Sequence, residues 1–411
     1  MVIKMAWRNL WRNKLRTSIM LGAMIFGLTG VVTMIGFMNG LVDNMIHNAI
    51  AWQTSHIQIH SKQFNDNPDI NAHLPGSEAI TNQFNNDPRI LKWTSRFLVD
   101  GMIASPRSTR GVRIVGVDPA IEANFTPISQ HIIEGAWLDD SGRHPIVVSM
   151  KTAERLQLRI GSKVVLTFTD PQGEVTGSAF RVNGIFQTPS VSYDEGNVLV
   201  RKSDIQQIAQ LSDVHEYSIM VAATLGADSR SMVTDIVTAL NMRLPSSTQA
   251  RAWFDIQPLL ASMMSTMKIS NQVMLIVFVI AMAFGIINIM LMSVFERTQE
   301  FGVLMAVGMQ KQKIFSLIML ETLFLGSVGA ALGIASSITL MTILGITGIE
   351  LGASSEGLGA YGIDSLLYPQ VSYEQYLMVF VTVLMASIFS ALYPARQILK
   401  QRPVEAMAER H

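Results

Sequence analysis

Residues 17–39 read TSIMLGAMIFGLTGVVTMIGFMN, 23 positions without one charged side chain. Wound as an α-helix, such a stretch crosses the roughly 30 Å hydrocarbon core of a bilayer. Three more apolar stretches follow, at about 273–295, 314–344 and 376–392, all in the C-terminal third of the chain. The long part between the first and second has the composition of a water-soluble domain. This spacing predicts a membrane α-helical protein with four transmembrane helices and a large mixed α/β domain inserted between helices 1 and 2. The expected division is an amphipathic interfacial helix over 1–16, a first span over 17–42 and the α/β domain over 43–268. A second span follows over 269–295, a cytoplasmic helix over 296–313 and a third span over 314–345. An exterior loop over 346–375, a fourth span over 376–393 and a cytoplasmic tail over 394–411 complete it.

Basic flanks set the orientation. Lys4, Arg8, Arg12, Lys14 and Arg16 precede the first apolar stretch; Arg297, Lys311 and Lys313 lie between the second and third; Arg396, Lys400, Arg402 and Arg410 follow the fourth. The loop 346–375 has Glu350, Glu356, Asp364 and Glu374 and no Lys or Arg. Short basic loops stay in the cytoplasm, so both termini are expected inside and the α/β domain outside, in the periplasm if the membrane is a bacterial inner membrane. The first apolar stretch exceeds the 7–15 residues of a signal-peptide core and no small-x-small site closes it, which predicts an uncleaved span.

Composition excludes several functions. Net charge is zero, so no global field favours nucleic acid. Cysteine is absent, which removes disulfides, thiolate metal sites and Cys nucleophiles. The 49% hydrophobic and 15% charged content and the 26 methionines suit a chain part in lipid and part in water. No GxxxxGK[ST] phosphate loop and no GxSxG elbow is present. His215-Glu216 lacks the second histidine of HExxH zinc chemistry. His56 and His60 stand four residues apart on an alternating segment, about 13 Å along a strand, too far for one ion, and read as a polar strand face. No catalytic residue, metal ligand or cofactor site is expected in this chain.

In the first dozen residues Ile3, Trp7, Leu10, Trp11 and Leu15 recur at helical steps with the cations mostly opposite. Such a helix lies at the membrane surface as an anchor; a lever leading into the first span is the alternative. In the α/β domain His56–His60, Gly111–Val117 and Lys163–Thr169 read as strands, Asp228–Leu240 as a helix and Asp170–Gly173 as a turn. The strand-rich middle, about 134–200, flanked by mixed segments, predicts two subdomains, one inserted in the other. Helical character then runs from Asp255 into the second span, with Pro258 in the first turn.

Small residues mark close packing in the spans: Ala23 and Gly27 in the first, Gly326, Gly329 and Gly333 in the third, including a GxxxG step. Glu321 falls inside the third span; an intramembrane carboxylate is a functional candidate, or one paired with Lys or Arg near a helix end. The most specific segment is Glu296–Gly308, ERTQEFGVLMAVG. It predicts an amphipathic helix with Phe301, Leu304 and Met305 on one side, stopped by Gly308 and shaped for a groove in a soluble protein; a plain connector helix is the alternative.

ERTQEFGVLMAVG, with Glu321 and the glycine-rich third span, resembles the C-terminal region of ABC transporter permeases of the MacB, FtsX and LolC/LolE superfamily. Tyr393-Pro394-Ala395-Arg396 and Arg402-Pro403-Val404-Glu405-Ala406 resemble its terminal motif. Met38-Asn39-Gly40, His56-Ile57-Gln58-Ile59, Ile133-Glu134-Gly135, Leu158-Arg159-Ile160-Gly161 and Gly184-Ile185-Phe186 resemble the lipoprotein-releasing LolC/LolE branch. The resemblance implies a non-catalytic permease that works with a separate cytoplasmic ABC ATPase dimer, which binds the ATP and Mg²⁺. It implies a coupling helix at Glu296–Gly308, with Glu296, Arg297, Glu300, Phe301, Gly302, Leu304 and Gly308 as the coupling residues. It also implies a second permease subunit, identical or paralogous, paired through the first two spans, and lipoprotein or similar amphiphilic cargo taken from the outer leaflet amid membrane lipid. LolC-type subunits carry a long proline-containing hook that recruits a periplasmic carrier. Here only the hairpin Asp170–Gly177 stands at that place, which points to a LolE-type partner or a relative with another hydrophobic cargo. A MacB-like mechanotransmitter for efflux or export is the second reading. Against it, MacB-type chains commonly carry the ATPase in front, whereas about 16 residues precede the first span here. An FtsX-like regulator of periplasmic partners is the third.

Overall fold

The computed structural model describes residues 2–74, 78–222, 227–352 and 362–400. The motif Arg402–Ala406 and Glu356 lie outside them. By internal contacts the chain divides into a helical unit, Met1–Leu41, Met264–Ile349 and Leu366–His411, and a β-rich unit, Val42–Met263 and Glu350–Ser365.

The helices of the membrane region are α1 (Val2–Leu10), α2 (Lys14–Asn48), α3 (Pro258–Glu296), α4 (Thr298–Ala306), α5 (Lys311–Thr347) and α6 (Tyr373–Lys400). Among the described residues α2, α3, α5 and α6 are long and apolar enough to cross a membrane. Each runs past the span expected from hydropathy, because hydropathy marks the greasy length and not the hydrogen-bonded length. The helix expected over 1–16 breaks after Leu10, whose carbonyl accepts from Thr17 Oγ1. The tail expected from 394 begins as helix, with Pro394 inside α6. In α1 Ala6 and Leu10 are buried while Ile3 and Trp7, with Trp11 just beyond the helix, stay exposed, so the apolar stripe has an inner and an outer part.

In the β-rich unit the strands are β1 (Ile57–Ser61), β2 (Ile90–Ala104), β3 (Thr109–Val117), β4 (Ile132–Gly135), β5 (Pro145–Ser149), β6 (Lys163–Thr169), β7 (Val175–Phe186), β8 (Asn197–Arg201), β9 (Glu216–Val221) and β10 (Thr248–Ala252). They pair in the order β10-β1-β9-β2-β3-β8-β5-β7-β4, and β6 pairs both β2 and β7. Strands β2, β3, β8, β5, β7 and β6 therefore close a ring. Closure removes free sheet edges. Inside it Phe97, Ile103, Ile114, Ile146, Leu166, Phe180 and Val200 form one core. The other lobe packs β1, β9 and β10 on the helices Glu78–Asn85 and Ala227–Arg243, with Ile57, Ile59, Phe84, Ile219 and Ile236 between.

The two subdomains thus share β2. Its first half, to Arg96, pairs β9 and its second half, from Phe97, pairs β3. The inserted lobe begins near Phe97, well before the expected 134, because one 15-residue strand serves both. Gly101 sits where β6 joins; a Cβ there would stand 2.5 Å from the Thr167 carbonyl. The Asp170 hairpin forms as expected: Asp170 Oδ1 accepts from the backbone of Gln172 and Glu174, and Gly173 takes φ +87°.

The polar face of β1 is covered, not solvated. His60 stacks on Phe64 at 4.9 Å, and Gln58, His60, Glu216 and Ser218 are all buried. Arg96 holds this layer together, donating to Glu122 Oε1 at 2.7 Å and to Glu216 Oε1 at 3.0 Å. Nearby, His215 Nε2 donates to the Ile70 carbonyl at 2.9 Å, while Nδ1 accepts from the Leu98 amide at 3.2 Å. Both ring nitrogens are committed to the neutral form, and burial pushes the group down from 6.5 to about 4. As pH falls, the unfolded chain therefore takes up the proton first. This contribution is complete above about pH 6.5 and is lost toward pH 4, roughly 3 kcal/mol in all. Thermal unfolding of the full chain in detergent should show a Tm that falls through this window and a shallower fall in His215→Gln. Equal slopes in the two proteins would show that His215 does not contribute.

Candidate functional site

The site is built where α1, α3, α4 and α5 meet. Helix α3 ends at Glu296, Arg297 makes the turn, and α4 runs to Ala306 before Gly308 stops it with φ +97°. That backbone region favours glycine. Arg297 is nearly enclosed. Its Nη1 donates to both oxygens of Glu321 on α5, at 3.2 and 3.1 Å, and its Nε to Glu300 Oε2 at 3.2 Å. The guanidinium also lies 5.2 Å from the centre of the Phe301 ring, a favourable cation–π placement. Glu321 is 7% exposed, so the intramembrane carboxylate is a paired one.

A second arginine reaches the same helix. Arg12 Nη1 and Nη2 donate to Glu300 Oε2 and Oε1 at 3.0 and 2.8 Å, a bidentate pair. Arg16, in the first turn of α2, pairs with Glu296. Arg12 and then Arg297 hold the Glu300 carboxyl below its usual range.

Phe301 lies at 1% exposure in a cluster with Ala6, Ile286, Met290, Ile314, Ile318 and Ala395, and Leu304 and Met305 pack at its edge. This corrects the expectation of a docking ridge made from those side chains. The apolar side of α4 faces the chain's own helices because that is where Ile314, Leu317 and Ile318 of α5 place a complementary apolar surface. Gly302 is buried as well. The outward side carries Glu300, Val303 and Val307, with Val307 83% exposed.

The span residues separate by role. A Cβ on Gly329 would stand 2.7 Å from Met24 Sδ, and one on Gly333 2.7 Å from Leu28 Cδ1, so the GxxxG step seats α5 against α2 of the same chain. Gly326 faces Ser387 of α6, and Gly27 faces Phe278 of α3. Among the described residues Ala23 packs against no other helix within this chain. It is exposed and lines an apolar groove of about 190 Å³ between α2 and α3, with Met20, Met24, Phe278 and Met282.

Sequence reasoning missed Arg12 and Arg16 as site residues, treating them as topology signals. The available hint was charge complementarity between the basic N-terminal flank and Glu296 and Glu300.

Among the described residues four membrane-length helices, with a large β-rich domain inserted after the first, define a multi-span membrane protein. A model described as MacB-like periplasmic core domain matches residues 17–239, more than half of the chain, and one described as FtsX-like permease C-terminal matches 272–403. The chain belongs to the MacB, FtsX and LolC superfamily of ABC transporter permeases. It is 22% identical over 287 residues to an uncharacterized ABC transporter permease of Methanocaldococcus jannaschii, covering 67% of this chain and 65% of that one. It is 22% identical over 323 residues to the macrolide export ATP-binding/permease protein MacB of Pasteurella multocida, covering 77% and 46%. To the lipoprotein-releasing system transmembrane protein LolC of Xylella fastidiosa it is 21% identical over 306 residues, covering 71% of each. The chain spans less than two thirds of the length of the first two relatives.

Removing one partner of a buried ion pair strands the other charge and costs about 3–5 kcal/mol, whereas removing both costs far less. Arg297→Gln should therefore lower the Tm of the detergent-purified chain strongly, and Arg297→Gln with Glu321→Gln should recover most of the loss. A single variant as stable as the native chain would show that this pair does not hold α4 to α5.

Proposed function

We propose that this chain is a non-catalytic permease subunit that couples ATP hydrolysis by a separate cytoplasmic ATPase to conformational change in its periplasmic domain. Its cargo in this reading is lipoproteins or similar amphiphiles drawn from the outer leaflet of the inner membrane. The observation that carries it is the seating of α4. The helix is held from within by Phe301 and by the enclosed Arg297–Glu321 pair. A helix so anchored can receive a push on its outer side, at Val303 and Val307, and pass it to α3 and α5 without unseating. In this reading both termini are cytoplasmic, and ATP and Mg²⁺ are bound by the ATPase dimer alone.

The apolar groove at Ala23 suits an acyl chain: it lacks charge, is lined largely by methionines and aliphatic side chains, and opens along two spans. The second permease subunit, identical or paralogous, would complete it across α2 and α3. The short Asp170 hairpin argues that a periplasmic carrier, if one takes the cargo, is recruited elsewhere than on this subunit. A second reading, a MacB-like drive for efflux or export, is favoured by the match of the MacB-like core model to residues 17–239.

Two measurements test this. Val303→Glu with Val307→Glu should abolish stimulation of the co-purified ATPase while leaving the permease folded; native stimulation in that variant would remove α4 from the coupling role. A photocrosslinker at Phe26, 83% exposed on α2, in lipid discs should capture lipoprotein acyl chains. Active complexes that yield no lipoprotein adduct would exclude lipoprotein cargo and favour the export reading.

A further inference from the structure

We infer that Arg12 and Arg16 are positioning residues that clasp the start of the first span to the α3–α4 corner, Arg12 at Glu300 on α4 and Arg16 at Glu296 at the end of α3, so that a displacement of α4 is delivered to α2 directly. This rests on the reading of α4 as the ATPase-coupling helix.

The contacts form an alternating chain of charge from the α1–α2 link through α4 to α5. It runs from Arg12, in the link between α1 and α2, to Glu300 on α4, then to Arg297 and finally to Glu321 on α5. Arg16 adds a second tie, from the first turn of α2 to Glu296 at the end of α3. The link itself is held in shape. The Thr17 amide donates to the Asn13 carbonyl, its hydroxyl to the Leu10 carbonyl, and the Arg12 amide to the Asn9 carbonyl. A pull on Arg12 therefore moves α1 and the start of α2 together, because the turn between them has its own hydrogen bonds.

Packing and charge divide the work. Ala6 of α1 is fully buried in the same apolar cluster as Phe301, and Trp7 meets Phe324 of α5 edge-on at 5.6 Å. That cluster holds α1 in place. The Arg12 and Glu300 side chains are about half exposed, and an exposed ion pair shifts an equilibrium by no more than about fivefold. So weak a contact adds little to folding. It suits a register device: two parallel N–H···O bonds fix the sliding and rotation of α1 against α4, and apolar contact alone would leave both loose. Without these pairs α4 would still reach α5 through Arg297, but the path to the first span would run only through side chains that can slip.

The experiment uses the full chain in lipid discs with the ATPase that co-purifies with it. Arg12→Glu with Arg16→Glu should lower permease-stimulated hydrolysis about fivefold while the ATPase still co-purifies. The charge swap Arg16→Glu with Glu296→Arg should restore most of the loss seen in Arg16→Glu alone, a rescue that a merely structural side chain does not give. Native stimulation in the first variant, or a swap no better than the single change, overturns the proposal. A second readout uses the absence of native cysteines. Spin labels at Arg8→Cys on α1 and Val307→Cys beside α4 should keep one narrow separation with and without ATP, and a broad one when Arg12 and Arg16 are reversed. Helices that part on ATP binding in the otherwise native chain would overturn the clasp. Failure of any ATPase to co-purify with the native chain would sink the coupling reading of α4 itself, a result separate from the label distances.

Discussion

The ion pair between Arg297 and Glu321 is the constraint on which the helical unit depends. Both groups lie where desolvation is costly, and removing either would strand the other as an unpaired buried charge. Their union obliges the turn after α3 to press on α5, which fixes where α4 begins. Once α4 begins there, Phe301 falls into the pocket formed by Ile286, Ile314 and Ala395, and Glu300 falls within reach of Arg12. A single buried charge pair thus orients a nine-residue helix that could not hold its place by propensity.

The β-rich unit solves a different problem. A large exterior domain needs a core of its own and no open strand edges. The closed ring of six strands meets both needs for the inserted lobe, and the shared strand β2 ties that lobe to the sheet of the other. The layer around Arg96 is the cost of that junction. Side chains that would face water in a lone sheet are roofed by Phe64 and must satisfy one another, as Arg96 does with Glu122 and Glu216.

Much of this was legible in the residues. The charge-free stretch 17–39 and its three later counterparts announced membrane helices, since no soluble fold needs so many consecutive apolar positions. The alternation in Lys163–Thr169 matched β6, and the Asp170–Gly173 turn matched its hairpin, because both rest on local backbone preferences. Gly308 read as a helix stop for the same reason. Less legible was direction. Phe301, Leu304 and Met305 were clearly one face of a helix, but nothing local says whether that face meets a partner or the chain's own α5. The GxxxG step was open in the same way, and only the positions of Met24 and Leu28 show what it seats against.

The sequence by itself determined the number of membrane helices, their order around a large inserted domain, and the superfamily signature between Glu296 and Gly308. Those follow from runs, periods and turn residues, which act over a few positions. The tertiary structure alone decided that Glu321 is neutralised by Arg297, that Arg12 and Arg16 grip the ends of two helices nearly three hundred positions away, and that the strand holding His60 turns its polar face inward. Such pairings depend on which surfaces meet after the chain has folded back on itself. Charge and apolar surface carry no address of their partner until packing supplies one.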